Sequence, residues 1–185
     1  LSRVVKSSMG RRSEALSAAP NREEYFEDFI KNKVYYRLRQ RLANEGRPFE
    51  IPESSLRKLG LAGGLMARVA EVDREVTGGE TSAMIEALRR GWDLKQDEAD
   101  FVAEVALAEV TPEMDYYRLT REFFTTTDEA ERVRFLDVLF SVAVADGSAS
   151  NAEIEEIRAI ALALKLTHQQ FIQAKVKVPR ESRET

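Results

Sequence analysis

Apolar residues recur every three to four positions along most of the chain. In the first such run they are four residues apart, at Phe26, Ile30, Val34, Leu38 and Leu42. Residues with this spacing share one face of an α-helix, so the pattern predicts amphipathic helices. By this criterion, helices are predicted over residues 21–46, 54–72, 80–90, 97–107, 112–124, 128–145, 151–164 and 168–176. Because only Val176-Lys177-Val178 alternates as a strand would, the predicted fold class is all-α, a single compact bundle of about seven to eight helices.

The predicted helix over residues 128–145 is the most apolar of the set. One of its faces carries Val133, Leu136, Leu139, Phe140, Ala143 and Val144. We therefore expect this helix at the centre of the core. The helix over residues 54–72 differs because its glycines, Gly60, Gly63 and Gly64, allow a bend or a close approach of another helix.

Several predicted helices begin with recognisable cap residues. Ser or Thr followed three residues later by Glu or Gln is typical of a capping box, in which each side chain bonds the other residue's backbone N–H. The pattern occurs at Thr77/Glu80, Ser150/Glu153 and Thr167/Gln170. Thr111 before Pro112 predicts another N-cap, and residues 125–127, all threonine, predict a cap for the helix that follows.

The chain divides into a helical domain and two short tails. Residues 1–19 contain Ser, Ala and Arg but few large apolar side chains, which is typical of a flexible basic N-terminal tail. The helical domain is predicted over residues 20–178, and residues 179–185 form a polar C-terminal tail.

An internal repeat is suggested by two acidic turns. Asp73 and Glu80 precede Asp146 and Glu153 by the same 73 positions, and each Glu lies in a capping box. We therefore predict two pseudo-symmetric helical hairpins within repeat-like halves of the domain, which cover about residues 54–110 and 111–178.

Composition is that of a soluble folded domain, with 43% hydrophobic and 32% charged residues. The absence of cysteine excludes disulfides, thiolate nucleophiles and cysteine-based zinc sites, and is compatible with a reducing compartment. No run approaches the roughly 18 apolar residues of a spanning helix, and an apolar signal core is lacking. We expect a cytoplasmic protein, for which any membrane association would be peripheral or through a partner.

The formal net charge of −4 conceals an uneven distribution. Residues 1–68 carry 14 Lys and Arg against 8 Asp and Glu, whereas residues 69–185 carry 14 against 24. A surface polarised in this way can steer cations or an oppositely charged protein.

The two acidic turns are the main candidates for chemistry. Carboxylate oxygens suit hard cations, so Asp73, Glu80, Asp146 and Glu153 form a candidate metal site for Ca²⁺ or Mg²⁺. The alternative is that each Ser/Thr and Glu pair only caps its helix, which explains both residue types without a ligand but does not explain the Asp four residues earlier. An EF-hand loop starting at Asp146 is excluded, because Asn151 stands where glycine is required and Ile157 where the bidentate Glu is required.

Other chemistry is sparse. His168 is the only histidine, so the sequence cannot provide a metal site with several histidines and offers little basis for a Ser-His-Asp relay. We predict no catalytic or cofactor-binding residues. No glycine-rich phosphate loop occurs. The predicted helix segment 31–41 carries five basic residues interleaved with tyrosines, which leaves open a role in binding anionic membranes or nucleic acid without sequence specificity.

A pattern in residues 130–172 resembles the TerB-like family of tellurite-resistance and co-chaperone domains. It comprises a long apolar helix ending in Ala143-Val144-Ala145-Asp146-Gly147, then Ser150-x-x-Glu153, a further helix, Leu164-Lys165-Leu166-Thr167 and a helix bearing Phe171. The resemblance is fainter over residues 65–107, where Arg74 replaces the glycine of Asp-Gly.

The resemblance implies an all-α fold with internal pseudo-symmetry and no conventional enzyme activity. It also implies a place in metal-stress or membrane-linked protein complexes, with acidic positions proposed to bind a divalent metal. Asp146 and Glu153 match those positions, and Asp73 and Glu80 are their counterparts in the weaker copy.

We therefore predict a non-enzymatic TerB-like module that binds a protein partner, with a divalent cation at the acidic turns as a further hypothesis. Two alternatives stay open: a metal-dependent hydrolase that uses the turn carboxylates, and a module that binds anionic surfaces through residues 31–41. The oligomeric state is left open.

Overall fold

The computed structural model describes Asp28, Lys33 and residues 36–46, 52–72, 76–109 and 116–179. These residues form eight helices: α1 (Arg37–Asn44), α2 (Glu53–Ala70), α3 (Gly78–Trp92), α4 (Gln96–Glu109), α5 (Tyr116–Thr126), α6 (Glu129–Ala143), α7 (Asn151–Ala163) and α8 (His168–Lys177). The predicted all-α class and compact helical bundle are confirmed. The N-terminal tail, the start of the first predicted helix and the cap at Thr111 lie outside the described residues.

Helix α2 lies at the centre of the bundle. It contacts α3, α4, α5, α6 and α7, and nearly all its residues from Leu56 to Ala70 are buried. Its small residues make this possible: a Cβ built on Gly63 would stand 3.5 Å from the Cβ of Ala106, at ordinary van der Waals distance. A helix with small residues on several sides can be surrounded by its neighbours.

The expectation that the helix over residues 128–145 is central was therefore wrong. Helix α6 buries one face, including Leu136, Leu139 and Phe140, but Arg134 and Ser141 are exposed. The central position was inferred from the high apolar content of this helix. Large apolar residues on one stripe, however, indicate that only one face is buried. Complete burial depended on the Ala and Gly residues of α2.

Helix caps mostly form where the sequence predicts them. Thr77, Ser150 and Thr167 are the N-caps of α3, α7 and α8, each in a complete capping box. The cap of α6 was wrongly predicted: Asp128 caps it in a box with Glu131. The threonines of residues 125–127 instead donate their hydroxyls to carbonyls of the last turns of α5.

Local geometry recurs between the predicted halves, although the repeat as a whole stays a prediction. Asp93 directly follows α3 and has a φ of 53°. Lys165 lies two residues after the end of α7 and has a φ of 56°. The next residue donates its N–H to a carbonyl five residues back in both cases, from Leu94 at 3.2 Å and from Leu166 at 2.9 Å.

The start of α3 lies against the turn that precedes α7. A Cβ built on Gly79 would stand 2.8 Å from the carbonyl oxygen of Ala145, closer than real Cβ contacts allow. Gly79 therefore permits a backbone-to-backbone approach that a side chain would prevent. Its neighbour Gly78 has no such contact, since a Cβ there would meet nothing within 4 Å.

We expect Gly79→Ala to lower the free energy of unfolding by about 1–3 kcal/mol, because the added methyl must displace the backbone at Ala145. Gly78→Ala is the matched control and should leave stability unchanged or slightly raised. Urea denaturation followed by circular dichroism measures both. Equal stabilities for the two variants would contradict the close approach of Gly79 to the Ala145 backbone.

Candidate functional site

Glu80 and Glu153 are buried carboxyl groups at the third positions of α3 and α7. Each residue is only 2% exposed. The Thr77 N–H donates to Glu80 Oε2 at 2.6 Å, and the Ser150 N–H donates to Glu153 Oε2 at 2.7 Å. The reciprocal bonds run from the two glutamate N–H groups to the cap hydroxyls. Each cap therefore fixes one oxygen of its glutamate.

The tertiary fold brings these two carboxyl groups together. Burial raises the pKa of Glu153 to about 7, and hydrogen bonding and charge repulsion from Glu80 act in the same direction against the stabilising Ser150 N–H. Glu80 is thus the carboxyl group that neighbours Glu153, and Glu153 Oε1 is buried without a hydrogen-bond partner in the described structure. Two ionised carboxylates only accept hydrogen bonds, so the pair is satisfied by one shared proton or by a cation.

The other two predicted metal ligands differ from this pair. Asp146 is exposed in the turn before α7, and Asp73 lies outside the described residues. Gly147, which follows Asp146, has φ of +123°, a conformation that L side chains rarely adopt. The Asp-Gly of the predicted motif therefore contributes a turn whose glycine is required by the backbone.

The donor set of the carboxyl pair is small for a hard cation. Ca²⁺ takes six to eight oxygen ligands. Across the described part of the chain, no cluster of three or more His, Cys, Asp or Glu is placed to hold a metal ion. Glu80 and Glu153 would supply two carboxylates, and the remaining ligands would have to include water, backbone or hydroxyl oxygens, or residues outside the described ranges.

A second candidate site is an open groove between α3, α5 and α6, with a cavity volume of about 610 Å³. Its floor is apolar and includes Phe123 and Phe135, whose ring centroids are 4.5 Å apart. The remaining lining residues are Lys58, Ala83, Glu86, Ala87, Arg90, Gly91, Trp92, Thr127, Glu131, Arg134, Val138 and Ser141. Sequence analysis missed this groove, although Ala83, Ala87 and Gly91, spaced by four on α3, are the small residues that leave it open.

Charged residues form the rim of the groove. Lys58 Nζ lies 2.7 Å from Glu131 Oε1, and Glu86 is shared by Arg89 and Arg90 at 2.9 and 2.7 Å. Arg134 is exposed and has no ion pair or hydrogen bond to any residue that the structure describes. The rim therefore has more positive than negative groups.

The predicted basic segment is partly committed to contacts within the molecule. The guanidinium groups of Arg37 and Arg41 lie 5.7 and 5.4 Å from the ring centroid of Phe101 on α4. Arg41 also lies 3.5 Å from Glu45. These contacts explain part of the basic face as attachment of α1 to the bundle.

Every helix in the described part of the chain is too short or too polar to cross a bilayer.

We expect the carboxyl pair to make stability fall with rising pH. The pKa of Glu153 in the folded chain lies above its ordinary value of 4.5, so the folded state binds more protons between about pH 4.5 and 7. This stability is fully present below pH 4.5 and is lost as pH rises through 7, by on the order of 1–3 kcal/mol. Glu153→Gln should flatten the decline while keeping the cap, since Gln170 caps α8 in the same way.

Urea denaturation at several values between pH 5 and pH 8 measures this effect. Glu131→Gln is the control: Glu131 also caps a helix, but its hydrogen bond with Lys58 lowers its pKa, so the decline should persist in that variant. An unchanged slope in Glu153→Gln would contradict the assignment.

Comparison with known proteins places the chain in a family. Residues 60–176 match the family model described as tellurite resistance protein TerB, a region that includes both the carboxyl pair and most of the groove. No curated protein and no solved structure matches the chain. Because this match covers more than half of the sequence, the chain belongs to the TerB family.

Proposed function

We propose that this protein is a non-enzymatic TerB module that binds another protein in a metal- or tellurite-stress system or a membrane-linked complex. The observation that carries the proposal is the open groove between α3, α5 and α6. Membership of the TerB family supports the cellular setting.

The chemistry of the groove favours binding over catalysis. An open groove with a largely apolar lining and a charged rim is typical of a binding site. Here Trp92 and Val138 are partly exposed in the lining, whereas Phe123 and Phe135 are buried. The lining residues include neither histidine nor cysteine, and the Ser141 hydroxyl donates to the Val138 carbonyl of its own helix at 2.7 Å. Within the described residues, the groove thus lacks the pairing of a nucleophile with a base that a hydrolase requires.

We expect protein fragments to bind the wild-type chain through this groove and to lose binding in Gly91→Trp. Gly91 is an exposed lining residue where a Cβ would meet nothing within 4 Å, so an indole can obstruct the groove without a clash at its Cβ. Gly78→Trp, at the exposed start of the same helix, is the matched control. A displayed library of fragments from the host proteome provides the ligands, and biolayer interferometry measures their affinities.

Fragments that bind both tryptophan variants equally would locate the interaction elsewhere. A library that yields no specific binder would contradict the proposed function itself.

The second candidate function is the binding of a divalent cation, Ca²⁺ or Mg²⁺, by Glu80 and Glu153. Two observations favour it: both carboxyl groups are buried and interact with each other, and Glu153 Oε1 has no hydrogen-bond partner among the described residues. A cation would take the place of the shared proton, so binding would compete with protonation.

We expect Mg²⁺ or Ca²⁺ to raise the melting temperature more at pH 8 than at pH 6, because the proton is absent at the higher pH. Glu153→Gln should abolish the shift, and Asp146→Asn tests whether the exposed turn carboxylate contributes. Differential scanning calorimetry with each metal, and with EDTA as reference, measures the effect. If the metals cause no shift at pH 8, the pair holds a proton alone and functions as two linked helix caps.

A further inference from the structure

We infer that the groove accepts an amphipathic helix of a partner protein, with an acidic side chain beside its apolar face that pairs with Arg134. This inference rests on the proposed protein-binding function and adds the chemistry of the partner. Two features carry it: the length of the groove along α6, and the unequal charge around its rim.

The length of the groove matches about three turns of a helix lying over it. On α6, the lining residues run from Glu131 to Ser141, a distance of about 15 Å at 1.5 Å per residue. The opposite wall is α3, where Ala83 and Ala87 present only methyl groups. A helix placed here would bury apolar side chains at positions i, i+4 and i+7 against the partly exposed Trp92 and Val138.

The charge of the rim favours an acidic partner over a basic one. Both acidic residues of the rim already have basic partners: Glu131 pairs with Lys58, and Glu86 pairs with two arginines. A basic partner would therefore have to compete with existing ion pairs. An acidic partner meets Arg134, which is exposed and lacks a counterion among the residues that the structure describes.

A small apolar ligand is the main rival, because the cavity volume is within the range of small-molecule sites. Such sites usually place polar groups inside the pocket to orient the ligand. Here the charged groups stand at the rim, and Arg90, Gly91, Arg134 and Ser141 are all exposed. The open rim favours a partner that extends beyond the groove.

The test uses a displayed library of designed helical peptides of about 14 residues, roughly 20 Å long. Leucine is fixed at i, i+4 and i+7, and the flanking positions are randomised among Glu, Lys, Ser and Ala. We expect wild-type protein to enrich Glu at the flanks, with about fivefold tighter binding than for the matched Lys peptide. Arg134→Glu should reverse this preference.

Arg121→Glu is the control, because Arg121 is also exposed, lacks a partner among the described residues and does not line the groove. This variant should retain the preference for Glu. Circular dichroism checks that both charge reversals keep the helical fold.

Three results would overturn the inference: no enrichment, enrichment of Lys, or a preference for Glu that persists in Arg134→Glu. Concentration-dependent dimerisation that is lost in Gly91→Trp would assign the groove to a second copy of the chain and would also overturn it. If proteome fragments bind in a Gly91-dependent manner while the designed peptides show no charge preference, the proposed function stands and the partner chemistry is wrong.

Discussion

The buried contact between Glu80 and Glu153 is the constraint on which the arrangement of this molecule depends. Each carboxyl group caps its own helix, so neither side chain can turn toward solvent without releasing a backbone N–H. Two neighbouring buried carboxylates would repel each other if both were ionised. A shared proton or a cation removes this repulsion. The starts of α3 and α7 are thereby held together, and Gly79 provides the space for the backbone at Ala145.

Helix α3 connects this contact to the groove. Its third residue is Glu80, and the turns that follow contribute Ala83, Ala87, Gly91 and Trp92 to the groove wall. The same helix packs against α2 and α6. Its position therefore defines both the contact of Gly79 with the Ala145 backbone and the width of the groove. The TerB family match extends across all of these elements except the first part of α2.

Much of the local structure could be predicted from the sequence, because capping boxes and apolar periodicity depend on neighbours within four residues. Thr77/Glu80, Ser150/Glu153 and Thr167/Gln170 form as predicted. The threonines of residues 125–127 were wrongly assigned, because their hydroxyls can bond either the next helix or the preceding one. Asp128 is the N-cap of α6 because its carboxylate accepts a hydrogen bond from the Glu131 N–H at 2.7 Å.

The sequence by itself determined the helical class, most helix starts and the pairing of each Glu with its cap, since these depend on short-range hydrogen bonds and helical spacing. Only the tertiary structure decided that α2 is central, that Glu80 and Glu153 meet while Asp146 is exposed, and that a groove opens between α3, α5 and α6. The physical reason is that packing depends on the shapes of surfaces far apart in the chain. A spacing of 73 residues suggests that two turns are related, but it does not specify which of their side chains become buried against each other.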